Sequence, residues 1–135
     1  MSVFEFDQSL RLGIEAIDSQ HKRFIGYIND AWDALERGDS YDEYLFILNQ
    51  LMDYAMEHFS FEEALMREHQ YPGYADHKKN HDSTAEQLFE FDMRLLADNP
   101  SESRAFVQFL QDWLQNHIKV VDIELAAYLR GKGVS

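Results

Sequence analysis

The sequence predicts an all-α protein: an up-down-up-down antiparallel four-helix bundle with an extended N-terminal arm. Three observations lead there. Only two prolines and six glycines interrupt 135 residues rich in Leu, Glu, Gln, Ala and Met, a composition that favours helix. Four stretches carry apolar residues at helical spacing, each bounded by capping or breaking residues. The connections between them are short, which makes neighbouring helices antiparallel.

The first 17 residues lack a helical repeat. Leu10, Leu12 and Ile14 alternate with Arg11, Gly13 and Glu15, so this arm has one apolar side to lay against the rest. The first helix is expected after Asp18, an N-cap residue type, and before Gly38, a C-terminal stop. Phe24, Ile25, Ile28, Ala31, Trp32 and Leu35 form its stripe. The second starts at Ser40, where Ser40-x-x-Glu43 matches a capping box, and runs to the Tyr71-Pro72-Gly73 break. The third is expected from Tyr74 to Ala97 with Ala85, Leu88, Phe91 and Leu95 on one face. Asp98-Asn99-Pro100-Ser101 then signals a turn, and the fourth helix is expected from Glu102 to Arg130, stopping at Gly131. The whole of 1–135 reads as one domain, with the arm over 1–17 and the bundle over 18–130.

Composition narrows the function. A formal net charge of −13 without a basic patch argues against nucleic acid and anionic membrane surfaces as partners. The absence of cysteine excludes disulfides, thiolate metal sites and cysteine nucleophiles. No apolar run approaches the ~20 residues of a spanning helix, and the first residues lack a secretory pattern. A cytoplasmic protein without membrane insertion is the expectation.

Five of the six histidines and two carboxylates share one layer of the predicted bundle: His21, His58, Glu62, His77, His81, His117 and Asp122. His21 lies 17 residues before Gly38 and His58 lies 18 after Ser40, so both descend equally from the same turn. His81 precedes Ala97 by 16 residues and His117 follows Glu102 by 15. His58 and Glu62, like His77 and His81, are four apart and share a helix face. Asp122 is five residues beyond His117, about 140° around an α-helix, and reaches inward from the flank. A local widening of the helix would help it. His69 returns to the same face as His58 but ~16 Å further along, outside the cluster. Glu63 points about 100° from Glu62 and reads as a solvated or rim residue.

A lone histidine on an apolar stripe is ordinarily a hydrogen-bonded core residue. Convergence of five with two acids in one layer calls for metal, because an unpaired buried carboxylate such as Glu62 is expensive. Imidazole and carboxylate suit a first-row metal such as iron, and zinc would fit the same ligands. Seven groups are too many for one ion and suit two that share bridging ligands. No Glu-x-x-His or His-Glu-x-x-His is present, so neither the carboxylate-rich di-iron oxidases nor the zinc proteases are written here.

The pattern resembles the hemerythrin family. The residues that carry the likeness are Gly13-Ile14, Ile17-Asp18-x-Gln20-His21-Lys22, His58-Phe59-x-x-Glu62-Glu63, His77-x-x-x-His81 and Trp113-Leu114-x-x-His117-Ile118-x-x-x-Asp122. They span almost the whole chain, which therefore reads as a hemerythrin-like domain. One departure is in the arm, where many relatives carry tryptophan and this chain has Phe4 and Phe6. The resemblance implies two non-haem iron ions with a bridging oxo or hydroxo group. His77, His81 and His117 would hold one iron, His21 and His58 the other, with Glu62 and Asp122 bridging. Counting the three bridges, the first iron is six-coordinate and the second five-coordinate. The open position implies reversible dioxygen binding, for carriage, storage or delivery. Phe59, Trp113, Leu114 and Ile118 flank the ligands and are candidates for the dioxygen pocket wall, as well as ordinary core.

Two other functional classes could use these residues. A sensor would act through a separate partner, since no signalling module accompanies these 135 residues. A peroxide or nitric oxide reductase would need a general acid, for which Tyr54 and Tyr128 at core positions are the nearest candidates. A non-enzymatic, monomeric and reversible dioxygen binder for carriage, storage or local delivery remains the leading expectation, with an oxygen-consuming enzyme as one candidate recipient.

Overall fold

Short-range competition for backbone donors decides where the helices begin and end in the computed structural model, which describes residues 4–135. The arm contains a short 3-10 turn over Gln8–Leu10, with Asp7 accepting a hydrogen bond from the Ser9 N–H. Helix α1 runs over Glu15–Arg37 and so starts before Asp18. Asp18 does not cap its own helix; its carboxylate accepts from the N–H groups of Leu12 at 2.9 Å and Gly13 at 3.1 Å. The acid thereby fastens the arm, whose chain reverses at Gly13 with φ of +86°, a conformation that favours glycine.

Helix α2 spans Tyr41–Glu68, and the Ser40 hydroxyl accepts from the Glu43 N–H as the capping sequence requires. Helix α3 covers Tyr74–Phe89 and ends earlier than Ala97. Asp92 starts a new short helix α4, Met93–Asp98, by accepting from the N–H groups of Arg94 and Leu95. The break turns the face: Leu96 is buried there and Leu95 is exposed, reversing the expected inner residue. Phe91 packs on Phe106 and Phe109 instead of continuing a helix. Helix α5, Pro100–Asn116, begins before Glu102 because Asn99 caps it and Pro100 suits the first helical position. It passes into a π-helical stretch, His117–Asp122, and then into α6, Ile123–Gly131.

The bundle has four legs running up, down, up and down: α1, α2, α3 with α4, and α5 with the π stretch and α6. Helix α1 packs against α2 and α5, while α2 packs against α3 and α4. Phe24, Ile28, Leu48, Leu51, Leu88, Phe106, Leu110 and Leu125 fill the core between the legs. The arm closes one side. Phe4, Leu10, Leu12 and Ile14 are buried, and Asn29 holds the Phe4 backbone through both its amide oxygen and its amide nitrogen. Arg130 reaches from α6 to donate to the Leu12 carbonyl. Phe6 is partly buried, with the Lys22 ammonium 5.1 Å from its ring centre. No helix among the described residues is long and apolar enough to cross a membrane.

Candidate metal centre

Each leg brings its part of the cluster to one layer. Helix α1 supplies His21; α2 supplies His58 and Glu62; α3 supplies His77 and His81; and the π stretch supplies His117 and Asp122. All seven are buried, with His77 the most exposed at 3%. The widened stretch solves the facing of Asp122. A π turn bonds i to i+5, which brings residues five apart close to one face. The Asp122 Oδ1 accordingly lies 3.0 Å from the His117 Nε2.

The carboxylates are oriented alike. Glu62 turns Oε2 toward His21 at 3.5 Å and His58 at 3.3 Å, and Oε1 toward His77 at 3.4 Å and His81 at 3.1 Å. His117 is 3.9 Å from the same Oε1. Asp122 turns Oδ2 toward His21 at 2.9 Å and Oδ1 toward His77 and His117 at 3.0 Å each. Each acid therefore gives one oxygen to a two-histidine set and the other to a three-histidine set. Two groups of donors follow: His77, His81 and His117 with Glu62, and His21 and His58 with Glu62 and Asp122. Within each, the donor atoms lie within 4.8 Å of one another.

Hydrogen bonds do not account for this convergence. Among the described residues, the Nε2 atoms of His21, His58 and His77 and all four carboxylate oxygens lack a partner of hydrogen-bonding geometry. The His81 and His117 Nε2 atoms face each other at 3.3 Å. So many buried groups without partners would cost several kcal/mol, at about 1–3 kcal/mol each. Burial alone would push the imidazoles toward the neutral form. Asp122 and Glu62 overcome it, raising His21 and His77 to about 9 and His117 to about 10. Burial pushes Glu62 up, but the His58 charge and the neighbouring imidazoles of His117 and His21 hold it well below the usual carboxylate range. Asp122 is also held low, against burial and Glu62, by His117 and His21. The layer thus demands positive charge. Nitrogen and oxygen donors grouped as two sets around shared carboxylates fit two first-row cations.

Aromatic rings wall the centre. Phe59 stacks on His81 with ring centres 4.4 Å apart, and Trp113 stacks on His117 at 4.6 Å. Phe59 and Trp113 meet edge to face at 5.4 Å. Leu114 and Ile118 are fully buried on the same leg as His117. Phe24, expected only as core, also meets the His58 ring edge-on at 5.8 Å. The outer side of His77 borders a surface cleft of about 250 Å³ lined also by Tyr71, Asp76 and Glu124. His69 stays outside, at the end of α2, where its carbonyl accepts from the Tyr128 hydroxyl.

Two polar residues next to the candidate ligands escape a reading by periodicity. The Gln20 Oε1 lies 2.8 Å from the His58 Nδ1. The Glu63 Oε2 lies 2.9 Å from the His81 Nδ1, so Glu63 faces a candidate ligand across the α2–α3 boundary and not solvent alone. The available signals were the places of Gln20 and Glu63 in the motif segments that carry the likeness, beside His21 and Glu62, and neither specifies a partner on another helix.

Comparison with known proteins agrees with this architecture. Residues 12–129 match the model of the hemerythrin HHE cation binding domain. Bacteriohemerythrin of Stenotrophomonas maltophilia is 34% identical over 124 residues, covering 88% of this chain and 76% of that protein. Hemerythrin of Themiste dyscrita is 32% identical over 119 residues, 88% of each chain. A wild-type hemerythrin crystal structure superposes with a TM-score of 0.78 at 26% identity, covering 94% of this chain and 98% of that one. With its four-helix bundle, its buried histidine–carboxylate layer and these matches, the chain belongs to the hemerythrin family.

Proposed function

We propose that this chain binds dioxygen reversibly at a centre of two non-haem irons, as a carrier, store or local source of the gas and not as an enzyme. The observation that carries the proposal is the way Glu62 and Asp122 each divide their two oxygens between unequal histidine sets. In this reading His77, His81 and His117 would hold one iron, and His21 and His58 would hold the other. Glu62 and Asp122 would be shared between them, and a solvent-derived oxo or hydroxo group would complete the centre. When bound, the iron pair supplies the electrons and the open position needed to hold and release dioxygen.

The chain's own residues protect that event. Phe24, Phe59, Trp113, Leu114 and Ile118 are the candidates for a dry wall, which keeps water and proton donors from the reactive centre. The tyrosines nearest to a relay role are engaged elsewhere. The Tyr54 hydroxyl donates to the Gln20 carbonyl at 3.3 Å, and the Tyr128 hydroxyl donates to the His69 carbonyl at 2.7 Å. Neither is set as a general acid, which favours binding over turnover. A cytoplasmic monomer handing dioxygen to an oxygen-consuming enzyme completes the proposal.

The test is anaerobic loading with ferrous iron followed by repeated addition and removal of oxygen. Two irons per chain are expected, with a visible absorption that appears with oxygen and fades without it over many cycles. Irreversible oxidation on first exposure, with turnover of added peroxide or nitric oxide, would replace carriage with catalysis.

A further inference from the structure

We infer that Glu63 is a positioning residue that sets the metal grip and reduction potential of the three-histidine set, acting through His81 and not on a metal itself. The inference rests on the diiron reading of the pocket. The His81 Nε2 points inward, 3.1 Å from the Glu62 Oε1, and must offer its lone pair to a metal. The opposite ring nitrogen, Nδ1, is therefore assigned the hydrogen, which it donates to the Glu63 Oε2 at 2.9 Å. Such a donation fixes both the tautomer and the orientation of a ligating ring. Phe59 stacks on the face of the same ring, nearly parallel at 16°, so His81 is held by an edge and a face together.

The other rings show that this arrangement is selective. Among the described residues, the Nδ1 atoms of His21, His77 and His117 have no hydrogen-bond partner. His58 has one, the Gln20 Oε1 at 2.8 Å. Each set thus contains one anchored histidine, but the anchors differ in charge: a neutral amide on the two-histidine side and a carboxylate on the three-histidine side. A carboxylate accepting the Nδ1 hydrogen makes the imidazole a stronger donor and favours the more highly charged state of its metal. Glu63 is suited to that role by its position. Its side chain is 14% exposed, and its second oxygen is 3.9 Å from the Lys78 ammonium. Lys78 is itself held by Asp82 at 2.9 Å, so it steadies Glu63 from outside without neutralising it in a close pair.

The experiment compares the iron-loaded full chain with Glu63→Gln, Glu63→Ala and, as a control, Glu57→Gln, which removes an equal charge from an exposed position of α2. The reduction midpoint, the rate of iron loss to a chelator and the circular dichroism spectrum are measured for each. Glu63→Gln keeps an oxygen that can accept from His81; it should retain two irons while its midpoint moves positive. Glu63→Ala should lose iron about 10- to 100-fold faster. Glu57→Gln should match the parent in both respects. An unmoved Glu63→Gln midpoint overturns the inference, as does a Glu57→Gln shift of equal size. If Glu63→Ala does not fold, the Glu63→Gln midpoint decides alone. A parent that holds two irons beside an unmoved Glu63→Gln variant defeats only this inference; a parent that cannot hold two defeats the diiron reading as well.

Discussion

Glu62 is the single residue shared by both donor groups, which makes it the most informative side chain to remove. Glu62→Ala deletes one of the proposed bridges and one of the two buried carboxylates of the layer. The expected outcome is fewer than two irons per chain by metal analysis, with helix content retained; full occupancy would refute the bridging role. The residue types and spacings of all seven candidate ligands are legible in the sequence, because helical periodicity converts intervals of four residues into shared faces. The partners of those ligands are not. Gln20 meets His58, and Glu63 meets His81, through contacts between different helices that depend on rotamer and leg separation. A wheel of one helix turns Glu63 about 100° from Glu62 and stops there; it does not show that α3 occupies that side.

Element ends are where periodicity fails, since the competing forces are local bonds between side chains and backbone. Asp18 and Asp92 are both cap residue types, yet only Asp92 caps a helix of its own. Asp18 instead binds two N–H groups of the arm, so Asp18→Ala leaves those donors without their acceptor. A loss of about 1–3 kcal/mol in chemical denaturation is expected, with the arm released first. The π stretch offers a sharper test. One extra residue separates His117 from Asp122 compared with an i,i+4 pair, and the wider turn absorbs it. Deleting the exposed Lys119 should restore an ordinary α turn, keep Asp122 facing inward and leave α6 packed through Leu125, Ala126 and Leu129. Inserting an alanine beside Lys119 should rotate Asp122 and α6 by about 100° and lower both iron content and stability. Equal iron content in the two variants would show that the pitch of this stretch does not aim Asp122.

At the scale of the whole molecule, four amphipathic stripes joined by short turns carry enough information for the bundle, because burying four stripes at once leaves few packings. The break at Asp92 rotates a short end of the third leg without changing that topology. The same global view yields a test that separates interior metal from cations collected on an acidic surface. The chain carries a formal charge of −13, most of it exposed, so nonspecific cation binding is a real competitor. Raising salt shortens the screening length from about 30 Å at 0.01 M to about 8 Å at 0.15 M, which weakens exposed interactions far more than buried ones. In the metal-free chain, salt should raise the thermal midpoint by relieving self-repulsion. Metal at 100 times its dissociation constant adds about 2.7 kcal/mol, on the order of 10 °C for a chain of this size. Because the candidate ligands are at most 3% exposed, that increment should survive at 0.15 M salt. Midpoints for both forms in both salts decide the matter: an increment that vanishes with salt places the cations on the surface, and the buried layer would then need another explanation.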